Sequence, residues 1–281
     1  MVKRGKWGDG LLLRPYGIGE IEVKTIREPV LSKCLHELRK LWKSMQLRFA
    51  QWLKSPIVKS GYGVRLVANY ADATFRFYIK ASYGFFYWKR ISAISEDFIF
   101  LDIGANQGLY SICAGLNRNC QRAYAFEPVP NVVHLLRQNL ALNGVADKCE
   151  VVQKAISDNS GDVEITIHTN HSGEASIAQG KVGGAGTARQ IIQTINAADL
   201  EAIIHAAQLP IYVKIDVEGH EEVVVKELLK CSFAGLVREI FYEVDLRWVN
   251  PQVLQSLLQT AGFTFVKTGR KTHYDVLATR S

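Results

Sequence analysis

The stretch FIFLDIGANQGLYSICAG, residues 98–115, runs an apolar strand into a turn of small residues and straight on into an apolar helical pattern. Working outward from it, strand-like runs at 98–103, 122–126, 149–153, 211–215 and 237–243 alternate with helical periodicity at 109–116, 130–142, 197–207 and 220–230. Alternation of this kind predicts an α/β protein with a doubly wound, mostly parallel sheet. Two further strands, 263–267 and 274–279, close the chain as an antiparallel pair. Ligands bind such sheets outside the carboxyl ends of the strands, where the strand order reverses. The turn after residue 103 belongs there, and Gly104 and Gly108 allow it to bend sharply and approach a ligand.

The spacing of that turn restricts the ligand. A dinucleotide needs backbone N–H groups aimed at its pyrophosphate through G-x-G-x-x-G. Here the pattern is D-x-G-x-x-x-G, and the carboxylate of Asp102 repels phosphate and favours a cationic ligand without one, such as a sulfonium. The next strand ends on Glu127, followed by Pro128 and a helix. A carboxylate about 20 residues past the glycines is placed to accept two hydrogen bonds from a ribose diol.

Composition bounds the rest. The chain has 281 residues, 48% of them apolar, enough for one sizeable core. No run reaches the roughly 18 apolar residues of a membrane span, and no compact apolar leader with a cleavage site follows the basic N-terminus. Five scattered cysteines (Cys34, Cys113, Cys120, Cys149, Cys231) never fall in C-x-x-C spacing. That pattern fits neither a disulfide framework nor a zinc site, and it fits a reducing, cytoplasmic setting.

The net charge of +7 is unevenly spread. Residues 1–95 hold 18 Lys/Arg against 6 Asp/Glu (+12), and residues 96–281 hold 16 against 21 (−5). We therefore divide the chain into a basic N-terminal extension, 1–60, and a main domain, 61–281. Within the extension, Leu35, Leu38, Trp42, Met45, Phe49 and Trp52 form one helical stripe. That amphipathic helix reads in two ways. General expectation favours a helix docked by its stripe with a solvated basic back; the alternative is peripheral contact of residues 32–54 with an anionic membrane, at its inner face. Nucleic-acid binding ranks below both, and no nucleic-acid partner is expected. Residues 64–80 alternate Phe75, Phe77 and Ile79 about a turn at Asn69–Asp72 and predict a hairpin, followed by a helix before residue 97. The aromatic run Tyr83, Phe85, Phe86, Tyr87, Trp88 fits either a cap over a site or core packing. Residues 168–190, with GKVGGAG, predict a polar, mobile insertion, in which the histidines of HTNH (168–171) face solvent.

Four successive stretches resemble the FkbM-type methyltransferases: FLDIGANQGLYS, AFEPVPNVVHLLRQNLALNG, AISDNSGDVEI and IYVKIDVEGHEEVV. The likeness covers residues 64–279. It implies S-adenosylmethionine as cofactor and the seven-stranded, Rossmann-like class I methyltransferase fold. Position by position it implies that Asp102, Gly104, Ala105, Asn106 and Gly108 border the methionine half of the cofactor, with Glu127 and Pro128 at the ribose. Ala155, Ile156 and the residues to Asp158 would lie near the adenine. Asp216, Glu218 and Gly219 would face the reacting methyl group, joined by Glu243. Two stretches depart from the family pattern, VVVKELL (223–229) and TINAADL (194–200), both outside the cofactor motifs.

KIDVEGHE has its own reading. Ile215 and Val217 alternate into the core, so Asp216 and Glu218 cluster on the other side, ahead of His220. Buried carboxylates need a positive partner: Lys214, a sulfonium or a metal ion. Capping of the following helix by Asp216 and Glu218 is the alternative, and for Glu218 and Glu221 it is an equal account. The expected catalytic set is Asp216, His220, Glu218 and Lys214, with the base shared between His220 and Asp216. A divalent cation at Asp216, Glu218 or Glu243 is compatible but not expected. The function this supports is O-methylation of a hydroxyl on a glycan, glycolipid or secondary metabolite. The alternatives are an NAD(P)-dependent oxidoreductase on the same kind of sheet and a non-catalytic membrane-associated adaptor.

Overall fold

A computed structural model describes residues 24–25, 30–168, 171–176, 187–268 and 272–280. The N-terminal part comprises β1 (Lys24–Thr25), α1 (Val30–Trp52), β2 (Ile57–Lys59), β3 (Arg65–Val67), α2 (Ala73–Lys80) and α3 (Phe85–Ser92). The first half of the main sheet follows with β4 (Phe98–Ile103), α4 (Leu109–Leu116), β5 (Cys120–Phe126), α5 (Pro130–Leu142) and β6 (Cys149–Val152). Next come β7 (Ala155–Ile156), β8 (Gly161–His168), β9 (His171–Ser176), β10 (Thr187–Ile195) and α6 (Ala197–Ile203). The chain ends with β11 (Ile211–Ile215), α7 (Glu221–Lys230), β12 (Val237–Asp245), α8 (Pro251–Thr260), β13 (Thr264–Thr268) and β14 (His273–Thr279).

All six residues of β4 are buried. Ile99, Leu101 and Ile103 enter one apolar layer, Phe98 and Phe100 the other. A strand covered on both faces reads as a continuous apolar run, and this one lies at the centre of the main sheet. The order is β1-β13-β14-β12-β11-β4-β5-β6. Strands β4, β5, β6, β11 and β12 are mutually parallel, and β14 runs antiparallel between β12 and β13. The chain moves outward from β4 through β6 on one side, then restarts at β11 on the other, so the order reverses between β4 and β11. These seven strands have the arrangement of the class I methyltransferase fold, to which the two-residue β1 adds an edge.

The N-terminal part departs from expectation. Residues 73–80 are helical, so the hairpin expected across Asn69–Asp72 does not form; β3 pairs back with β2 instead. Phe75 and Ile79 satisfy both a two-residue and a four-residue period, and Asp72 decides between them. Its Oδ1 accepts from Phe75 N at 2.8 Å as an N-cap, and Tyr78 is buried with Phe75 and Ile79 while Phe77 is exposed. The boundary at 60/61 therefore falls inside a hairpin, and Leu47 of α1 shares an apolar layer with Val58 and Phe100. The stripe of α1 is not its docking face: Leu38, Trp42, Met45, Phe49 and Trp52 are exposed, and Leu47 faces the domain.

Residues 171–176 and 187–190 of the expected insertion are strand. β8, β9 and β10 join β7 in a second sheet of order β7-β10-β8-β9, whose Ile165 and Ile192 pack with Val129 and Val132 around the start of α5. The GKVGGAG segment lies outside the described residues. His168 and His171 are paired across β8 and β9 rather than in a loop.

Candidate active site

The carboxyl ends of β4, β5, β11 and β12 surround a cavity of about 240 Å³. Gly104, directly after β4, has φ +75°, and a Cβ there would stand 1.9 Å from the Asp216 carbonyl oxygen. The two strand tips approach that closely only because residue 104 has no side chain. Gly108 closes the turn at φ +89°, where a Cβ would lie 2.5 Å from Leu136 Cδ1. Between them Asn106, also left-handed, donates its backbone N–H to Glu127 Oε2 at 3.0 Å.

Asp102 takes no part in the cavity wall. Its fully buried carboxylate accepts from Ser111 N at 2.8 Å and Ser111 Oγ at 2.6 Å, at the positive end of α4. Its other oxygen is 3.6 Å from Lys214 Nζ. The expectation that Asp102 meets a cationic ligand directly is thus corrected: its side chain lies on the α4 face of β4, and its cation is internal. Lys214, also buried, donates to the Gly104 carbonyl at 2.7 Å and stands 3.6 Å from Asp216 Oδ2. Burial alone lowers its pKa; Asp216, Asp102, Glu243 and Glu127 together outweigh that and raise it.

Glu127 stands at the end of β5. Its two oxygens accept from Asn106 N and Val129 N, both at 3.0 Å. Burial still pushes its pKa up to about 7, against those two bonds and the pull of Lys214. Pro128, Ala155 and Ile156 continue the wall from Glu127.

Across the cavity Asp216, Glu218 and Glu243 each bring one oxygen within 4.8 Å of the others. The alternation expected past Ile215 breaks down there, because Glu218 has φ +55°. The N-cap residue of α7, His220, makes no side-chain cap bond; Glu221 Oε1 accepts from Val217 N and Gly219 N at 3.2 Å and so holds the loop ahead of the helix. Asp216 Oδ2 accepts instead from the Tyr83 hydroxyl, and Glu243 Oε1 is bonded to His273 Nε2. Burial, with Asp216, Asp275 and Glu218 alongside, pushes the Glu243 carboxyl up to about 10. A positive charge of any origin would be stabilised against this wall, whether a sulfonium or a metal ion.

His220 lines the same cavity but is bonded through Nε2 to Ser157 Oγ at 3.1 Å, next to Ile156. Burial lowers its pKa, with Asp158 pulling the other way, so the ring is neutral at pH 7.

Residues 102–265 match the FkbM methyltransferase domain. The chain belongs to that family. A methyltransferase of Sordaria araneosa, sdnD, is 32% identical over 83 residues, a match that spans 30% of this chain and 32% of that protein. Among solved structures, an rRNA methylase of Streptococcus thermophilus aligns over 69% of this chain and 94% of its own at 9% identity and a TM-score of 0.43. TrmK of M. capricolum, solved with S-adenosyl-homocysteine, aligns over 69% and 66% at 13% identity and a TM-score of 0.41.

In this FkbM chain, Gly104, Asn106, Glu127, Pro128, Ala155, Ile156, Asp216, Glu218, His220 and Glu243 line one cavity. Asp102, Ala105, Gly108 and Lys214 lie behind it and fix the loop and strand tips. Sequence reasoning did not single out Thr74, Tyr78, Ser172 or His273, which also line it. The overlooked signal was Asp72. Besides capping α2, it accepts from Gln107 Nε2 at 3.2 Å and from Ser172 N at 2.8 Å, tying α2 and β9 to the glycine turn. The aromatic run serves both readings: Tyr83 faces the cavity, and Tyr87 stacks on Phe241 in the core with ring centroids 4.2 Å apart.

Proposed function

We propose that the chain is an S-adenosylmethionine-dependent O-methyltransferase that acts on a hydroxyl of a glycan, glycolipid or secondary metabolite. One observation carries the reading: the cavity at the strand-order reversal has Glu127 at one side and the wall of Asp216, Glu218 and Glu243 at the other. The first suits a ribose diol, and the second suits a cation and repels a pyrophosphate. The residues fit the cofactor that the family implies: Gly104 lets the β4 and β11 tips meet at the cavity, where Asn106, Glu127 and the carboxylate wall offer backbone and side-chain groups to a cationic nucleoside. Gly104 and Asn106 would border its methionine part, Glu127 the ribose, Ala155 and Ile156 the base.

When bound, S-adenosylmethionine supplies an electrophilic methyl group on sulfur. Everything else falls to the chain. Lys214 holds the Gly104 carbonyl and Asp216 together, so the β4 and β11 tips keep their spacing. Tyr83 donates to Asp216 and fixes its carboxylate. Much of the rate enhancement in such a displacement comes from alignment, with reacting atoms about 3–3.5 Å apart. His220, engaged with Ser157, belongs to the nucleoside side, which leaves the acceptor proton to the carboxylate wall. Glu243 is the base there in its ionised form: once its own proton has left, its raised proton affinity suits a hydroxyl proton, and its bond to the half-exposed His273 leads that proton toward solvent.

The test is calorimetric titration of the purified chain with S-adenosylmethionine, S-adenosylhomocysteine and NAD(P)H. Saturable heat with the first two is expected. Saturation with the nicotinamide coenzyme alone would return the oxidoreductase reading, and no saturation with any of the three would favour an adaptor.

A further inference from the structure

Helix α1 turns its apolar stripe away from the domain. Leu38, Leu41, Trp42, Met45, Phe49 and Trp52 are all more than half exposed, Trp52 at 75%. At 100° per residue they fall within an arc of about 100°, and buried Leu47 lies about 180° from Leu38. The helix therefore grips the domain by its narrow opposite face, packing on α2, and no described residue covers the stripe. Phe49 and Trp52 stack on each other within it, with ring centroids 5.9 Å apart.

Charge decides what covers it. The sequence from 30 to 54 holds six Lys/Arg against one Glu, and exposed Arg48 lies at the edge of the stripe. A second copy meeting this face would bring like charges together. An anionic bilayer meets both features at once: apolar and indole side chains enter the headgroup boundary while the flanking cations face phosphates. We propose that α1 is an interfacial helix that lies in the surface of an anionic membrane without crossing it. The inference is independent of the proposed chemistry. Because α2 packs on α1 and contributes Thr74, Phe77 and Tyr78 to the cavity, such docking brings the cavity wall close to the lipid surface.

The experiment is flotation of the full chain with vesicles of phosphatidylcholine alone or with phosphatidylglycerol added. Each Lys or Arg near an anionic surface contributes roughly fivefold in affinity, so binding at least about tenfold stronger to the anionic vesicles is expected, with release by salt. The triple variant Trp42→Ser, Phe49→Ser, Trp52→Ser should keep the wild-type thermal midpoint, since all three side chains are exposed, and lose about tenfold or more of the binding. The proposal is overturned if the wild type ignores anionic vesicles, or if the triple variant binds them as well as the wild type. A dimer that the triple variant splits, with no vesicle binding by either protein, overturns it in favour of a second copy.

Discussion

Replacing Lys214 by methionine isolates the charge arrangement behind the cavity. Its Nζ lies 3.6 Å from Asp102 Oδ1 and 3.6 Å from Asp216 Oδ2, with side-chain exposures of 4%, 0% and 21%. At an effective dielectric near 20, each attraction is about 5 kcal/mol before desolvation is subtracted. Removing one partner of a buried pair leaves the other charge uncompensated, at a net cost of about 3–5 kcal/mol. Asp102 bears most of that, because Oδ1 has no hydrogen-bond partner and loses its neighbouring cation. With about 2.1 cal/mol/K of unfolding entropy per residue, the midpoint should fall by about 5–9 °C. Folded-state Lys214 has a raised pKa, so its contribution is complete below the ordinary lysine value of 10.5 and disappears as pH rises through the raised one. The gap between wild type and variant therefore holds at neutral pH and closes only in alkali. Thermal unfolding followed by circular dichroism measures it, and the double variant Asp102→Asn, Lys214→Met should recover at least half of the loss. A single variant within about 1 kcal/mol of wild type, or a double variant no more stable than the single, would refute the reasoning.

Gly104→Ala places a Cβ 1.9 Å from the Asp216 carbonyl oxygen in a left-handed conformation that costs an alanine about 1–2 kcal/mol by itself. Weakened donor binding in calorimetry and a lower thermal midpoint are expected together. Glu127 gives a pH dependence. Burial raises it to about 7 in the free protein, and a diol needs the ionised form, so donor affinity should fall by up to about tenfold per pH unit as pH drops below that value. Titrations from pH 6 to 8 should show a steeper slope in the wild type than in Glu127→Gln, which keeps only the part linked to Glu243 and Asp275. Glu243→Gln should lower kcat by about 10²–10⁴-fold while donor affinity stays within about threefold, a split read from steady-state rates beside calorimetry.

The central strands were legible because a six-residue run buried on both faces admits one reading, and so was the turn, because its glycines answer to a contact no other residue permits. The partner of Asp102 was not legible. A carboxylate at a strand end signals a nearby cation without saying whether it is a ligand or a side chain more than a hundred residues away. Only the sheet register, which sets Lys214 beside Asp102 across β4 and β11, resolves that. Residues 75–79 failed for a different reason. Two of the three apolar positions obey both periods, and the deciding feature was a cap three residues before Phe75. For α1 the periodicity located the stripe correctly, but an amphipathic pattern does not encode which face the domain takes. Leu47, one apolar side chain on the basic side, was enough to reverse it.

The same distinction between a charge and its partner bears on what the cavity selects. Asp102 and Asp216 share Lys214, and Asp216 also accepts from Tyr83, so both are compensated before any ligand arrives. Glu243 relies on its bond to the exposed His273: burial and four neighbouring carboxylates hold it protonated at neutral pH in the free protein, with Asp275 pushed up to about 7 beside it. A cation entering the wall lowers both proton affinities and converts Glu243 from an acid into a base at the moment the donor is in place. A pyrophosphate does the opposite, raising them further and leaving the site without a base. Binding of a cationic donor should therefore release protons, and the heat of binding should change with the ionisation enthalpy of the buffer. Identical heats in phosphate and Tris at pH 7.5 would mean that Glu243 and Asp275 do not respond to the donor, and the assignment of Glu243 as the base would fall with them.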